Sequence, residues 1–544
     1  MTEEIQDIFD EIRNIMQPDM DCTARYHALD ALLLRALKDR TRHSPVDFTH
    51  TAARLHWLCK QTGHPSHPLE VFRARAGRIQ KGLFLPDGED EAYDLKAVCE
   101  GLAAFYQTHV PEDVQKRLPR HWRPAPAPAE KVSQAKRIRI TVHRWDEHFI
   151  YGKDHTHPTE QLLKVEYADE TDRTFADLKE QLYEGAQLNL LSVKTIKAEG
   201  AYPYVLKPEM LVLDPDFLID ITALCACIKP YGYSAYTHLL NKLAPPARSA
   251  AIQLGNAANQ FLDDCVNENR DLEREDRACP ESAGHERFTQ NADGTAEAEL
   301  YLRSMQNSFR LSPLAWSTLP DIDRDFFNRC EMQFHHIRQT VRNSFSAAGI
   351  DIRQTEVELE PSFLCEALGL QGRMDLLTRN ADKLVELKSG KADEYPYRSP
   401  KDEHRLQMAL YKEILYYNLD RRHEQVQSYL FYSRYPGLYA VDVPRSHIRR
   451  AMALRNAILH IEHRLRRGES RALIDELTEE RLNVDGRGDR LYTRYLRPRM
   501  MEILTPLHGM RGTEADYFHR FLTFTAREQF RAKVGDDRAD SPGG

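Results

Sequence analysis

The stretch GRMDLLTRNADKLVELKSGK, Gly372 to Lys391, constrains the fold more than any other part of the chain. MDLLT and KLVELK read as short strands joined by the polar turn Arg379-Asn380-Ala381-Asp382, which predicts an antiparallel hairpin. Side chains alternate along a strand, so Glu386 and Lys388 share one face while Val385 and Leu387 take the other. Asp375, on the neighbouring run, can then meet them. Two carboxylates converging at a sheet edge repel unless a cation lies between them, and hard oxygen ligands select Mg²⁺ or Mn²⁺. The competing explanation is an edge strand with a surface ion pair.

The next element weighs against that explanation. In HRLQMALYKEIL, His404, Gln407 and Tyr411 fall at i, i+3 and i+7 on one helix face, beside an apolar stripe of Leu406, Leu410 and Ile414 that can pack on the sheet. A polar stripe beside an acidic site can hold a DNA phosphate or base.

The whole chain must accommodate such a unit within 544 residues, which is too long for one ordinary core. Residues 1–118 read as a helical domain, on the three-to-four spacing of DALLLRALKDR and DLKAVCEGLAAFYQTHV. The Pro/Ala run that follows suits a linker over 119–135. Short alternating runs such as RIRITVHRW and AQLNLLSVKTI predict a small β-barrel over 136–216, where an oligonucleotide-binding (OB-like) barrel and a purely scaffolding one fit equally. Residues 217–468 read as mixed α/β, and 469–544 as a helical, partly disordered tail.

No run reaches the roughly 18 apolar residues of a membrane span, and the acidic N-terminus does not resemble a secretory signal, so a cytoplasmic protein without membrane association is expected. The net charge of −8 excludes a uniformly basic nucleic-acid binder but not a local basic groove.

GRMD, ELKSGK and HRLQMALY, in this order, resemble the core motifs of the PD-(D/E)XK nuclease superfamily, in its RecB-type branch with a Q-x-x-x-Y helix. LIDITALCACIKPYGYSAYTHLLNKL followed by LGNAANQFLDD resembles the corresponding segments of helicase-nucleases that trim single-stranded DNA flaps. The resemblance implies a restriction-endonuclease-like mixed sheet flanked by helices, and a metal-dependent DNase acting on single-stranded DNA or DNA ends. It also implies that Asp375, Glu386 and the Leu387 backbone carbonyl hold the metal, that Lys388 is the catalytic lysine, and that Gln407 and Tyr411 orient it or the substrate. Glu356 or Glu358 can add a carboxylate, with solvated strand charge as the plainer explanation. His404, Arg449 and Arg450 are candidate DNA contacts; for the arginines a solvated helix face competes.

Two departures from the family pattern stand out. The family carries a metal-binding histidine four residues after a helix glycine, and here Gly255 is followed at that spacing by Asn259, with Asp263 one turn further as a possible substitute. Relatives with an iron–sulfur cluster need three late cysteines, and no cysteine follows Cys365, so no cluster is expected. An ATP site is not expected either, because Gly390-Lys391 and Gly152-Lys153 lack the earlier glycine of a phosphate loop. A motor would then come from a helicase partner or from a helicase half beyond this chain, and both options stay open.

Overall fold

The structure, a computed structural model, describes residues 3–535 apart from 45, 47, 49, 123–133, 246–248, 279–293, 351, 353–356 and 395–397. Most of the expected linker and Glu356 therefore lie outside the described residues.

Helices between Glu3 and Gln115 bury one face each around Phe9, Leu33, Leu69, Phe72 and Leu102, forming a core of their own. The barrel follows: β1 (Gln134–Trp145), β2 (Phe149–Asp154), β3 (Leu163–Glu166), β4 (Gln187–Lys197), β5 (Tyr204–Lys207) and β6 (Met210–Leu213). Pairing runs β1-β2-β3-β5-β4, and β4 returns to β1, which closes five strands into a barrel with β6 added beside β4. Closure depends on one long strand serving two neighbours. β1 pairs with β4 over Gln134–Thr141 and with β2 over Ile140–Trp145, and its register shifts between Val142 and Arg144, where an extra residue lets the strand bend.

The α/β region opens with β7 (Ile219–Asp220), β8 (Ile228–Lys229) and β9 (Gly232–Tyr233), the last two pairing with each other, and a long helix, Ala250–Ala278. After an α-helical stretch come β10 (Val357–Leu359), β11 (Ser362–Cys365), β12 (Leu370–Arg373), β13 (Leu376–Thr378), β14 (Lys383–Lys388), β15 (Gln427–Tyr432) and β16 (Tyr439–Ala440). The five-stranded sheet has the order β10-β13-β14-β15-β16, and a three-stranded sheet the order β11-β12-β7.

The expected hairpin is β13–β14, with Leu376 opposite Val385. β14 and β15 run parallel, which requires a crossover, and the helix Asp402–Leu419 supplies it. The strand KLVELK is apolar on both sides because each face is covered. Leu384 joins the core shared with the barrel and the crossover helix, whereas Val385 and Leu387 join Leu254, Phe261 and Phe334 of the helices on the opposite side. Each such buried side chain contributes about 1.5–3 kcal/mol.

Barrel and α/β sheet thus share one continuous apolar core. The helix Arg445–Arg467 fastens them: Arg455, fully buried, donates to the carbonyls of Asp214 (3.1 Å) and Phe217 (2.7 Å), while the Asn456 side chain bonds both Leu211 O and Leu213 N–H. The segment read as a tail is packed as well. Helices from Ser470 to Val534 bury Leu473, Leu504 and Leu522 against Leu239 and Ile461, and Phe530 stacks on Phe217 at 5.6 Å. Residues 536–544, where disorder was expected, lie outside the described residues. No helix among the described residues is long and apolar enough to cross a membrane.

Candidate active site

β10–β11 and β12–β13 form one antiparallel ribbon that bends between the two sheets. The register is continuous through the bend, because Leu359 faces Leu376 before it and Ser362 faces Arg373 after it. At the corner, Glu360 N–H donates to Asp375 O at 3.0 Å and Met374 N–H to Pro361 O at 3.1 Å. Glu360 turns the corner with φ +52°, in the left-handed region that costs a non-glycine residue of order 1 kcal/mol. Asp375 therefore sits at the corner immediately before β13, not within a strand, and is aimed at the next strand, where its Oδ2 accepts Leu387 N–H at 2.6 Å.

Glu386 is buried on the face of β14 that meets the crossover helix. Its Oε1 accepts from Lys388 Nζ at 2.8 Å and from Gln407 Nε2 at 2.8 Å, while its Oε2 is buried without a hydrogen-bond partner. Gln407 also donates to Tyr411 OH at 3.0 Å, and Tyr411 donates to Arg373 O at 2.7 Å. One helix turn thereby spans from Glu386 to the end of β12, two residues before Asp375. Gly372 makes this possible: a Cβ there would stand 2.9 Å from Tyr411 Cε1. Gly255 lies beside the end of β14, where a Cβ would make an ordinary contact with Ser389 Oγ at 3.4 Å.

The electrostatics follow from crowding. Burial, and next the charge of Glu386, push the Asp375 carboxyl well above the ordinary carboxylate range; Lys388 and the Leu387 N–H oppose this only in part. Burial works against the Lys388 ammonium, but Glu386 and then Asp375 outweigh it and hold its pKa above the usual lysine value.

The donor set fits a divalent cation. Besides the unpartnered Glu386 Oε2 and the crowded Asp375, the Leu387 carbonyl is correctly turned. In a strand, a residue's N–H and C=O leave by the same edge, and Leu387 N–H faces Asp375. The opposite edge is used by β15, where Ser433 N–H donates to Lys388 O at 3.0 Å. Among the described residues, no group of three or more His, Cys, Asp and Glu side chains forms a metal cluster, so the set is two carboxylates and a carbonyl.

Other expected residues are placed differently. Glu358 is exposed on β10 opposite Leu377. Glu360, the last residue of TEVELE and not among the expected ligands, stands across from Asp375 and bonds Arg373 at 3.1 Å. Asp263 is half-buried, and burial, with Glu360 next, pushes its carboxyl up to about 7. It thus belongs to the acidic surroundings of the corner. Asn259 lies one turn before it, half-buried. His404 shares Tyr432 OH at 2.8 Å, and burial, followed by Lys388, lowers its pKa to about 3.

Arg449 reaches the barrel instead of open solvent, donating to Glu209 O at 2.8 Å and pairing with Asp172. Arg450 lies over the Tyr233 ring at 4.6 Å. Cys225 and Cys227 are buried in the shared core, where burial raises both thiols.

Two carboxylates and a lysine thus gather at the end of a central strand, braced by the crossover helix, and their oxygen donors fit a divalent cation. Residues 220–485, just under half of the chain, match the model of the PD-(D/E)XK nuclease superfamily, and this span contains every residue of the site. No curated protein matches the chain.

Proposed function

We propose that this protein is a divalent-metal-dependent deoxyribonuclease that hydrolyses phosphodiester bonds of single-stranded DNA or DNA ends. The observation that carries the reading is Glu386: one oxygen is bonded by Lys388 and Gln407, the other is buried and free, and Asp375 stands crowded beside it. Asp375, Glu386 and the Leu387 carbonyl would hold Mg²⁺ or Mn²⁺, which, when bound, supplies a Lewis acid for the charge on the phosphate oxygens. Lys388, ion-paired with Glu386, remains an ammonium suited to offset charge as water adds to phosphorus and the P–O bond to the leaving 3′ or 5′ oxygen breaks. Gln407 holds Glu386 in place and Tyr411 holds Gln407, so both are positioning residues.

The strand order of the barrel supports the OB-like reading, and Arg144, exposed and lying over the buried Tyr151 ring at 3.7 Å, adds a cation to its surface that can meet a phosphate. A role in DNA repair, replication or defence beside a helicase is part of this proposal and rests on the sequence resemblance alone. A catalytically weak DNA-binding module is the second reading, favoured by Asn259 at the histidine position. Labelled single-stranded DNA incubated with the protein and Mn²⁺, with and without chelator, separates the two. Cleavage that chelator abolishes supports the nuclease; binding without any cleavage supports the module.

A further inference from the structure

The loops that leave β14 and β15 gather a second set of charges. Because these strands are parallel, both loops emerge at the end of the sheet where Lys388 lies, the usual position for ligands of such sheets. The loop after β14 is closed by two bonds between Asp393 and Ser399, at 2.9 and 2.8 Å. Glu394 within it accepts a hydrogen bond from Tyr435 OH at 2.8 Å, and the Arg398 guanidinium lies 3.6 Å from the centre of the Tyr435 ring. Besides the Tyr435 bond, Lys391, Arg434 and Arg398 draw the Glu394 carboxyl below its ordinary value. Asp393, the other acid of the loop, acts on Tyr432.

Glu394 therefore bonds one phenol directly while three cations act on it from beyond ion-pair distance, and Glu394, Lys391 and Arg398 are all exposed. The far end of the loop is tied to the catalytic face, since Lys401 N–H donates to Tyr432 OH at 3.0 Å and that hydroxyl also meets His404. Carboxylate and phosphodiester oxygens accept from the same donors, and a phosphodiester brings a like charge.

We propose that Lys391, Arg398, Arg434 and Tyr435 form a phosphate subsite that grips the nucleic-acid backbone beside the scissile bond, and that Glu394 occupies it until a strand displaces the carboxylate. The proposal rests on the nuclease reading of Asp375, Glu386 and Lys388.

The test is fluorescence anisotropy of a labelled oligothymidylate in chelator over a range of salt, which reads binding apart from cleavage. The Arg398→Ala/Arg434→Ala double variant should bind more weakly, and the slope of log affinity against log salt should fall by about 1.4, or about 0.7 for each phosphate of a single strand that is no longer neutralised. Glu394→Gln should bind more tightly than the wild type. If the wild type cleaves with Mn²⁺ and both variants bind as it does, the subsite is wrong and the nuclease reading stands. A wild type that neither binds nor cleaves the oligonucleotide overturns both.

Discussion

Lys388→Met removes the one ammonium hydrogen-bonded to Glu386 while keeping much of the lysine's bulk. Nζ lies 2.8 Å from Glu386 Oε1, where the attraction is about 6 kcal/mol at an effective dielectric of about 20. Desolvation offsets part of this, and breaking such a pair from one side costs about 3–5 kcal/mol. With Lys388 about one-fifth exposed, the lower end applies, so we expect a loss of about 3 kcal/mol in the local stability of β13–β14 in chelator. Hydrogen exchange of peptides spanning residues 376–388 measures it as faster opening, because exchange reports regional free energies that a global melt of a multidomain chain blurs. Mn²⁺ at about 100 times its dissociation constant should return about 2.7 kcal/mol. The variant should cut no DNA. If its exchange in chelator matches the wild type, Lys388 is not compensating buried carboxylates and the electrostatic reasoning fails.

Asp375 makes the metal-free protein sensitive to pH. Its folded pKa is raised, so the stabilisation is fully present below the ordinary value near 3.8 and is lost as pH rises toward the raised value, at up to about 1.4 kcal/mol per pH unit. Urea midpoints in chelator should fall across that window for the wild type and less steeply for Asp375→Asn. Gly372→Ala should destabilise by about 1–3 kcal/mol through the 2.9 Å clash with Tyr411, and a double-mutant cycle with Tyr411→Ala should be strongly non-additive. Gln407→Leu should lower the rate of cleavage about tenfold or more while folding is retained, as read by single-turnover kinetics. Asn259→His should tighten Mn²⁺ binding by calorimetry if the position faces the ion, and unchanged affinity would remove it from the site.

The hairpin was legible in the sequence because alternation along KLVELK and a polar turn are local signals, and the same parity put Glu386 and Lys388 on one face. Gln407 and Tyr411 were legible from helical spacing, although their bonds to Glu386 and Arg373 depend on the crossover. Glu360 was not legible: β10 and β11 are three and four residues long, and the bend between them rests on a positive φ at a glutamate, for which composition gives no hint. Arg449 read as a free cation because its partners Asp172 and Glu209 lie more than 230 residues away in the chain. The C-terminal helices looked like a solvated tail for the same reason, since Phe530 is matched by Phe217 only in the folded molecule.

The most direct measurement is a crystal soaked in Mn²⁺ and examined by anomalous scattering. An ion bonded to Asp375, the free oxygen of Glu386 and the Leu387 carbonyl is the predicted result. An enzyme that cleaves DNA with its manganese bound elsewhere, leaving those three oxygens without an ion, would contradict it.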